Sequence, residues 1–349
     1  MALRLDSVPF ALGAEVLEQA ASRLEKNTIC TKRQLVDIIF LMETLYITHP
    51  SCRLHEMGDW HPECPDRLDA ISDQMLSSGL ASYVHSIDHG TPVTREALLR
   101  VHTPEYLAQL EAASPLTGYH AIDPDTLMNP HTLDAARHAA GAVVAAVDAV
   151  MQDQAHTAFC SIRPPGHHAL PAQAMGFCFF NNIAVAAAHA MATYGVKRLA
   201  IIDFDVHHGN GTQAMFAGMP GVLMCSFFQH PLFPNTGVND TAENMVNVPV
   251  PAYTKGETIR EIVRTQWLPR LQAHQPELIL ISAGFDAHRE DEMGQMGLVE
   301  SDYAWMTEQI VALADRYAHG RIVSTLEGGY HLSALGRSVV AHIRALSKL

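Results

Sequence analysis

Six short apolar runs, at 45–48, 158–162, 199–204, 222–227, 278–282 and 322–326, punctuate the chain. They are rich in Ile, Leu and Val and show little alternation with polar residues, which is how strands covered on both faces read. Between several of them the apolar period lengthens to that of a helix. Residues 132–151 are rich in Ala and Val, 183–194 end at Gly195, and 257–274 and 302–319 are amphipathic, the last closed by Gly320. A glycine just past a helical segment is a usual stop signal. Strand–helix–strand alternation predicts an α/β fold, a three-layer α/β/α arrangement with a mostly parallel central sheet. The chain carries no internal repeat or low-complexity tract. Residues 1–41 read differently: Val16, Leu17, Ala20, Ala21 and Leu24 keep helical spacing, and Thr31 with Gln34 has the form of a capping box. They predict a helical N-terminal extension, with the main domain over 42–349.

The run Ile201-Ile202-Asp203-Phe204-Asp205-Val206-His207-His208-Gly209-Asn210-Gly211 adds chemistry to the pattern. Successive side chains on a strand point to opposite faces, so Asp203, Asp205 and His207 share one face. Two carboxylates and an imidazole on one side of a strand end are half of a metal site. Other polar motifs follow other apolar runs: Arg163-Pro164-Pro165-Gly166-His167-His168, Gly284-Phe285-Asp286 and Glu327-Gly328-Gly329-Tyr330. In open parallel sheets, ligands bind beyond the carboxyl ends of the strands. Taken singly, each motif has a plain reading as a surface pair, a turn or a cap. Four of them at equivalent positions point to one site.

The residue types suggest the chemistry. Asp205, His207 and Asp286 make the three ligands of a catalytic zinc, with a fourth position open for water. His167 and His168 offer an acid and a base. Tyr330 keeps its proton at neutral pH and can donate to a developing oxyanion. Together these groups suit hydrolysis of an amide or ester.

Composition narrows the class. The 349 residues are 48% hydrophobic, enough for one large domain. A net charge of −14 argues against direct nucleic-acid binding and suits cationic partners. Cys30, Cys52, Cys64, Cys160, Cys178 and Cys225 form no Cys-x-x-Cys pair and read as buried, reduced thiols. With no signal-peptide pattern and no apolar run of transmembrane length, the expectation is a soluble cytoplasmic protein with no membrane partner. The oligomeric state is not written in the pattern.

The four motifs, in this order, resemble the histone deacetylase superfamily. Asn210 and the stretch His61-Pro62-Glu63-x-Pro65-Asp66-Arg67 are similar to its class II-like branch, which includes bacterial histone deacetylases and acetylpolyamine amidohydrolases. The resemblance covers residues 42–349 and implies the arginase/deacetylase-like fold. It implies Asp205, His207 and Asp286 as zinc ligands, His168 as general base, His167 as its partner in proton transfer and Tyr330 as the group that polarises the carbonyl. Asp203 would orient His167, and Asn210 would stand behind His168. Asp203 and Ser226, with the carbonyls of Asp205, His207 and Phe227, resemble a structural potassium site. Phe177, Phe233, Met293 and Gly328 resemble the substrate tunnel, and Arg67 the arginine of an internal acetate channel. Some relatives carry an aspartate where this chain has Asn210. An amide stabilises imidazolium less than a carboxylate does, so His168 should stay neutral more easily.

The implied activity is a zinc-dependent deacylase that releases acetate from acetylated lysine in a peptide or protein. An acetylated polyamine is the alternative substrate. An arginase-like hydrolase would need two manganese ions and a further Asp-x-Asp pair near Asp286, where only Asp291 and Glu292 follow, in a loop. A non-catalytic acyl-lysine binder would leave catalytic positions unfilled, and all are filled. Two carboxylates and one imidazole form a hard ligand set, so iron(II) or cobalt(II) could replace zinc.

Overall fold

The computed structural model describes residues 44–239 and 242–349; the helical extension expected over 1–41 lies outside them. The described residues form ten strands: β1 (Thr44–Ile47), β2 (Val84–Ile87), β3 (His120–Ala121), β4 (Leu127–Met128), β5 (Thr157–Cys160), β6 (Leu199–Asp203), β7 (Val222–Gln229), β8 (Met245–Val250), β9 (Leu278–Ala283) and β10 (Ile322–Leu326). The helices are α1 (Asp66–Ser77), α2 (Arg95–Leu98), α3 (Pro104–Ala113), α4 (Thr132–Met151), α5 (Asn182–Tyr194), α6 (Asn210–Phe216), α7 (Gly256–Ile262), α8 (Leu268–His274), α9 (Glu300–Tyr317) and α10 (Leu332–Leu346). Eight strands form one sheet in the order β2-β1-β5-β10-β9-β6-β7-β8, and every pairing in it is parallel. β3 and β4 make a separate small antiparallel pair.

The apolar runs explain this arrangement. β5, β6, β9 and β10 are buried at every residue, as strands with helices on both faces must be. The edge strands β2 and β8 escape the apolar-run pattern because each is only partly buried. Pro249 in β8 fits an edge, where a missing N–H costs little. α4 spans the expected residues, and Gly195 caps α5 with a left-handed φ of 67°. The single helix expected over 257–274 is instead α7, a five-residue π-helical segment Val263–Trp267, and α8. Pro269, in the first turn of α8, is the physical reason: it has no N–H for the preceding turn, and a widened turn absorbs the loss. Trp267 in that segment is fully buried and stacks on Phe227 at 5.8 Å.

The topology creates the place for a site. The chain lays down β1 and β2, steps to β5, and then crosses to β6 and proceeds outward to β8. β9 and β10 return to fill the gap between β6 and β5. The carboxyl ends of β5, β10, β9 and β6 therefore lie side by side where the strand order reverses, the usual ligand position in such sheets. Among the described residues no helix is long and apolar enough to cross a membrane.

One core group makes stability depend on pH. His342, on α10, is wholly buried, with Nδ1 2.7 Å from Thr307 Oγ1 and Nε2 2.9 Å from Ser324 Oγ. Burial holds its pKa down at about 3. The unfolded chain titrates this group near 6.5, so between the two values it binds a proton that the native protein refuses, and stability falls as pH drops. From pH 7 to 5 this group alone should cost about 2 kcal/mol. His342→Gln should flatten the pH dependence of denaturant unfolding by that amount, and an unchanged slope would refute the assignment.

Candidate active site

β6 ends at Asp203, earlier than the run to 204 suggests, yet the alternation outlasts the strand. Phe204 and Val206 turn into the core. Asp203, Asp205 and His207 turn the other way. Short polar side chains carry the backbone round: Asp203 Oδ1 accepts from the Asp205 N–H (3.2 Å) and Asp205 Oδ1 from the His207 N–H (2.9 Å). Asp205 and His207 thus ride on bends beyond the sheet, and Asp286 reaches them from the turn after β9.

Asp205, His207 and Asp286 each offer a ligand atom within 4.8 Å of the others, and all three are buried. This is the one such group of His, Cys, Asp or Glu among the described residues. His207 Nδ1 stands 2.9 Å from Asp205 Oδ1 and 3.2 Å from Asp286 Oδ2. Asp286 Oδ1 accepts from the Val206 N–H (2.9 Å), while Oδ2 is buried without a hydrogen-bond partner. Burial and the neighbouring Asp205 push Asp286 up to about 7. His207 rises to about 10, because the two carboxylates outweigh its burial. Two carboxylates and an imidazole gathered in this way could hold a metal ion, and the donor set fits a divalent one. Asp203 stands apart from the trio; its Oδ2 accepts from His167 Nδ1 at 3.0 Å. The β6–β7 register sets Asp203 beside Ser226, both fully buried.

The turn after β5 delivers the two histidines, whose rings lie 4.0 Å apart. Burial opposes charge on His167, but Asp205, Asp203 and Glu327 prevail and raise its pKa well above normal. His168 is pushed well below normal by burial and by the cationic neighbours His167 and His207. Its Nδ1 is 2.8 Å from Asn210 Oδ1. Two imidazoles in contact are driven in opposite directions, the pattern that separates an acid from a base.

A cavity of about 300 Å³ opens onto these groups, lined by His168, Phe177, His207, Phe233, Met293 and Tyr330, with Asp123 and Asp125 also on its wall. The Tyr330 phenol is raised well above its usual pKa, first by burial. Its backbone N–H and that of His331 donate to Asp291 Oδ2 at 2.6 and 2.9 Å. The Arg67 guanidinium lies 4.9 Å over the Tyr330 ring. Fully buried, it donates to Glu63 Oε1 (3.0 Å) and to the carbonyls of Gly329 (2.7 Å) and Glu327 (2.5 Å). Gly328 sits at the inner end: its N–H donates to Asp205 Oδ2 (2.8 Å), and a Cβ there would fall 2.0 Å from Asp286 Oδ2.

Three carboxylates with no role in the sequence reading turn out to hold the site's frame. Asp291 fixes the Tyr330 backbone. Glu63 is buried against Arg67, Arg163 and His55. Glu327 Oε2 accepts from the Gly166 and His167 N–H groups (2.7 and 3.1 Å), and Oε1 from Ser282 Oγ (2.9 Å). A charged residue directly after the buried Thr-Leu end of β10 is the sequence signal for this tie. Glu327→Ala would leave two buried N–H groups and a hydroxyl unpaired, at about 1–3 kcal/mol each. Thermal unfolding should fall accordingly and turnover with it; an unchanged melting temperature would remove Glu327 from this role.

Residues 61–346 match the histone deacetylase domain family. The crystal structure of the HDA15 HD domain aligns with a TM-score of 0.82 and 34% identity, covering 88% of this chain and 90% of that one. A histone deacetylase-like amidohydrolase of Pseudomonas aeruginosa is 38% identical over 309 residues, 83% of this chain and 81% of that protein. The polyamine deacetylase HDAC10 of Mus musculus is 36% identical over 302 residues, 81% of this chain but 44% of that longer protein.

Proposed function

The chain belongs to the histone deacetylase family, and from that premise we propose a cytoplasmic, zinc-dependent deacylase that removes acetyl groups from N-acetyl lysine side chains of peptides or proteins. The observation that carries the reading is the convergence of Asp205, His207 and Asp286 at the inner end of a cavity that also holds His168 and Tyr330. Asp205, His207 and Asp286 would hold zinc, or iron(II) in its place. A divalent cation so held supplies polarisation of the acyl carbonyl and acidification of water. A single ligand cluster among the described residues favours one metal over the two of an arginase-like reaction. The Asp203 and Ser226 side chains, with the nearby carbonyls of Asp205, His207 and Phe227, would hold potassium and stiffen the ends of β6 and β7.

The chain's own groups divide the remaining work. His168, neutral and bound through Nδ1 to Asn210, presents Nε2 to accept a proton from the attacking water. His167, positively charged against Asp203 and Asp205, supplies a proton to the departing amine. Tyr330 keeps its hydrogen and donates it to the oxygen that gains charge. Phe177 and Phe233 flank the acyl-bearing chain and exclude water from it, and Met293 gives the cavity mouth an apolar gate. Arg67, packed under Tyr330, lines the route by which acetate leaves.

A second reading, deacetylation of polyamines, draws support from Asp123 and Asp125 on the cavity wall, whose carboxylates suit a second ammonium group. Comparing kcat/KM for acetyl-lysine peptides and acetylspermidine on metal-replete protein decides between them. The apolar Met293 gate predicts higher values for the peptides. Turnover of acetylpolyamines alone would overturn the preference, and turnover of neither would overturn the deacylase reading.

A further inference from the structure

We propose that Met175 is a positioning residue: its thioether fixes which way the Asn210 amide faces and so selects the tautomer of His168. The inference rests on His168 serving as the base. Asn210 Oδ1 meets His168 Nδ1 at 2.8 Å, while Asn210 Nδ2 donates to Met175 Sδ at 3.4 Å. The two ends of a primary amide have nearly the same shape, so only their partners decide which end points where. A thioether sulfur accepts a hydrogen bond and has no proton to give. The amide nitrogen therefore faces Met175, which leaves the oxygen facing His168. That oxygen can only accept, so the neutral imidazole must carry its hydrogen on Nδ1 and its lone pair on Nε2, the nitrogen available to take a proton.

The backbone that carries the sulfur is tightly held. Met175 and Cys178 close a tight hairpin, with the Met175 N–H on the Cys178 carbonyl (3.2 Å) and the Cys178 N–H on the Met175 carbonyl (3.0 Å). Gly176 and Phe177, between them, both have left-handed φ, 57° and 69°. This conformation is strained for phenylalanine and persists only where the surroundings impose it. Gly176 is pressed to the His168 ring so closely that a Cβ would lie 2.6 Å from its Cδ2. One small turn thus carries the cavity wall at Phe177, abuts the base, and presents the sulfur that orients Asn210. A carboxylate at position 210 would need no such guide, because its two oxygens are equivalent.

That equivalence supplies the test. Wild type, Met175→Leu, Met175→Gln, Asn210→Asp and the Met175→Leu/Asn210→Asp double variant are made in the full chain. Histidine ¹⁵N shifts report the His168 tautomer, and kcat and KM are measured in parallel. Met175→Leu should admit the Nε2–H form beside the Nδ1–H form and lower kcat by up to about twofold, since parity leaves about half of the molecules productive, with KM little changed. Met175→Gln, whose amide both accepts and donates, should leave the Asn210 orientation as undecided as Met175→Leu does. In the Asn210→Asp background Met175→Leu should add nothing. An unchanged Nδ1–H signature in Met175→Leu, or an equal penalty in both backgrounds, overturns the proposal. The nitrogen shifts decide it even if every form proves inactive towards acylated amines, an outcome that would instead sink the deacylase reading.

Discussion

Asp286→Ala is expected to yield a folded protein that no longer retains a divalent cation and no longer turns over substrate. The expectation follows from the division of labour between the two carboxylate oxygens. Oδ1 accepts from the Val206 N–H, and Oδ2 is buried with no hydrogen bond of its own. Loss of Oδ1 costs the fold one hydrogen bond, about 1–3 kcal/mol with the N–H left unpaired. Loss of Oδ2 removes one of the three proposed ligands. Even groups that merely support a ligand are worth roughly 10–100-fold in metal affinity, so removing a ligand outright should exceed that. Metal content after dialysis, measured beside a melting curve, separates the two effects. A variant that keeps one equivalent of metal and normal turnover would exclude Asp286 from the site.

Tyr330→Phe should behave in the opposite manner, keeping the metal while losing kcat by roughly two to three orders of magnitude, as for other donors to an oxyanion. The ring has fixed neighbours that phenylalanine preserves: Arg67 over one face at 4.9 Å and Phe177 edge-on at 5.9 Å. Asp291 holds the backbone and is indifferent to the hydroxyl. The substitution therefore removes a hydrogen-bond donor and little else. KM should move far less than kcat, since the bond strengthens only as charge develops on the oxygen. Equal activity of the two forms would assign carbonyl polarisation elsewhere.

What could be read from the chain follows from what each signal measures. Hydrophobic patterning reports burial, so the fully covered strands β5, β6, β9 and β10 stand out in the sequence and the half-covered β2 and β8 do not. The gathering of candidate residues was legible where they follow such strands closely, as with Asp205, His207, Asp286 and Tyr330. The supporting carboxylates were not, because their partners are remote. Glu63 meets Arg163 a hundred residues away, and Glu327 meets Gly166 across 161 residues. No local pattern records such pairs. The Met175–Phe177 turn was hidden for a different reason: its left-handed Phe177 contradicts the residue's own preference and is imposed by the surrounding packing.

The strand order also bears on how the molecule is made. β10 is the last strand in the sequence, yet it is the neighbour of both β5 and β9 and joins the two halves of the sheet. As the polypeptide leaves the ribosome, the early strands can collapse together while a slot between β5 and β9 stays open. The segment that closes the slot brings Glu327 and Tyr330 with it. Assembly of the candidate site thus coincides with the final long-range pairing, so a half-made chain lacks part of it.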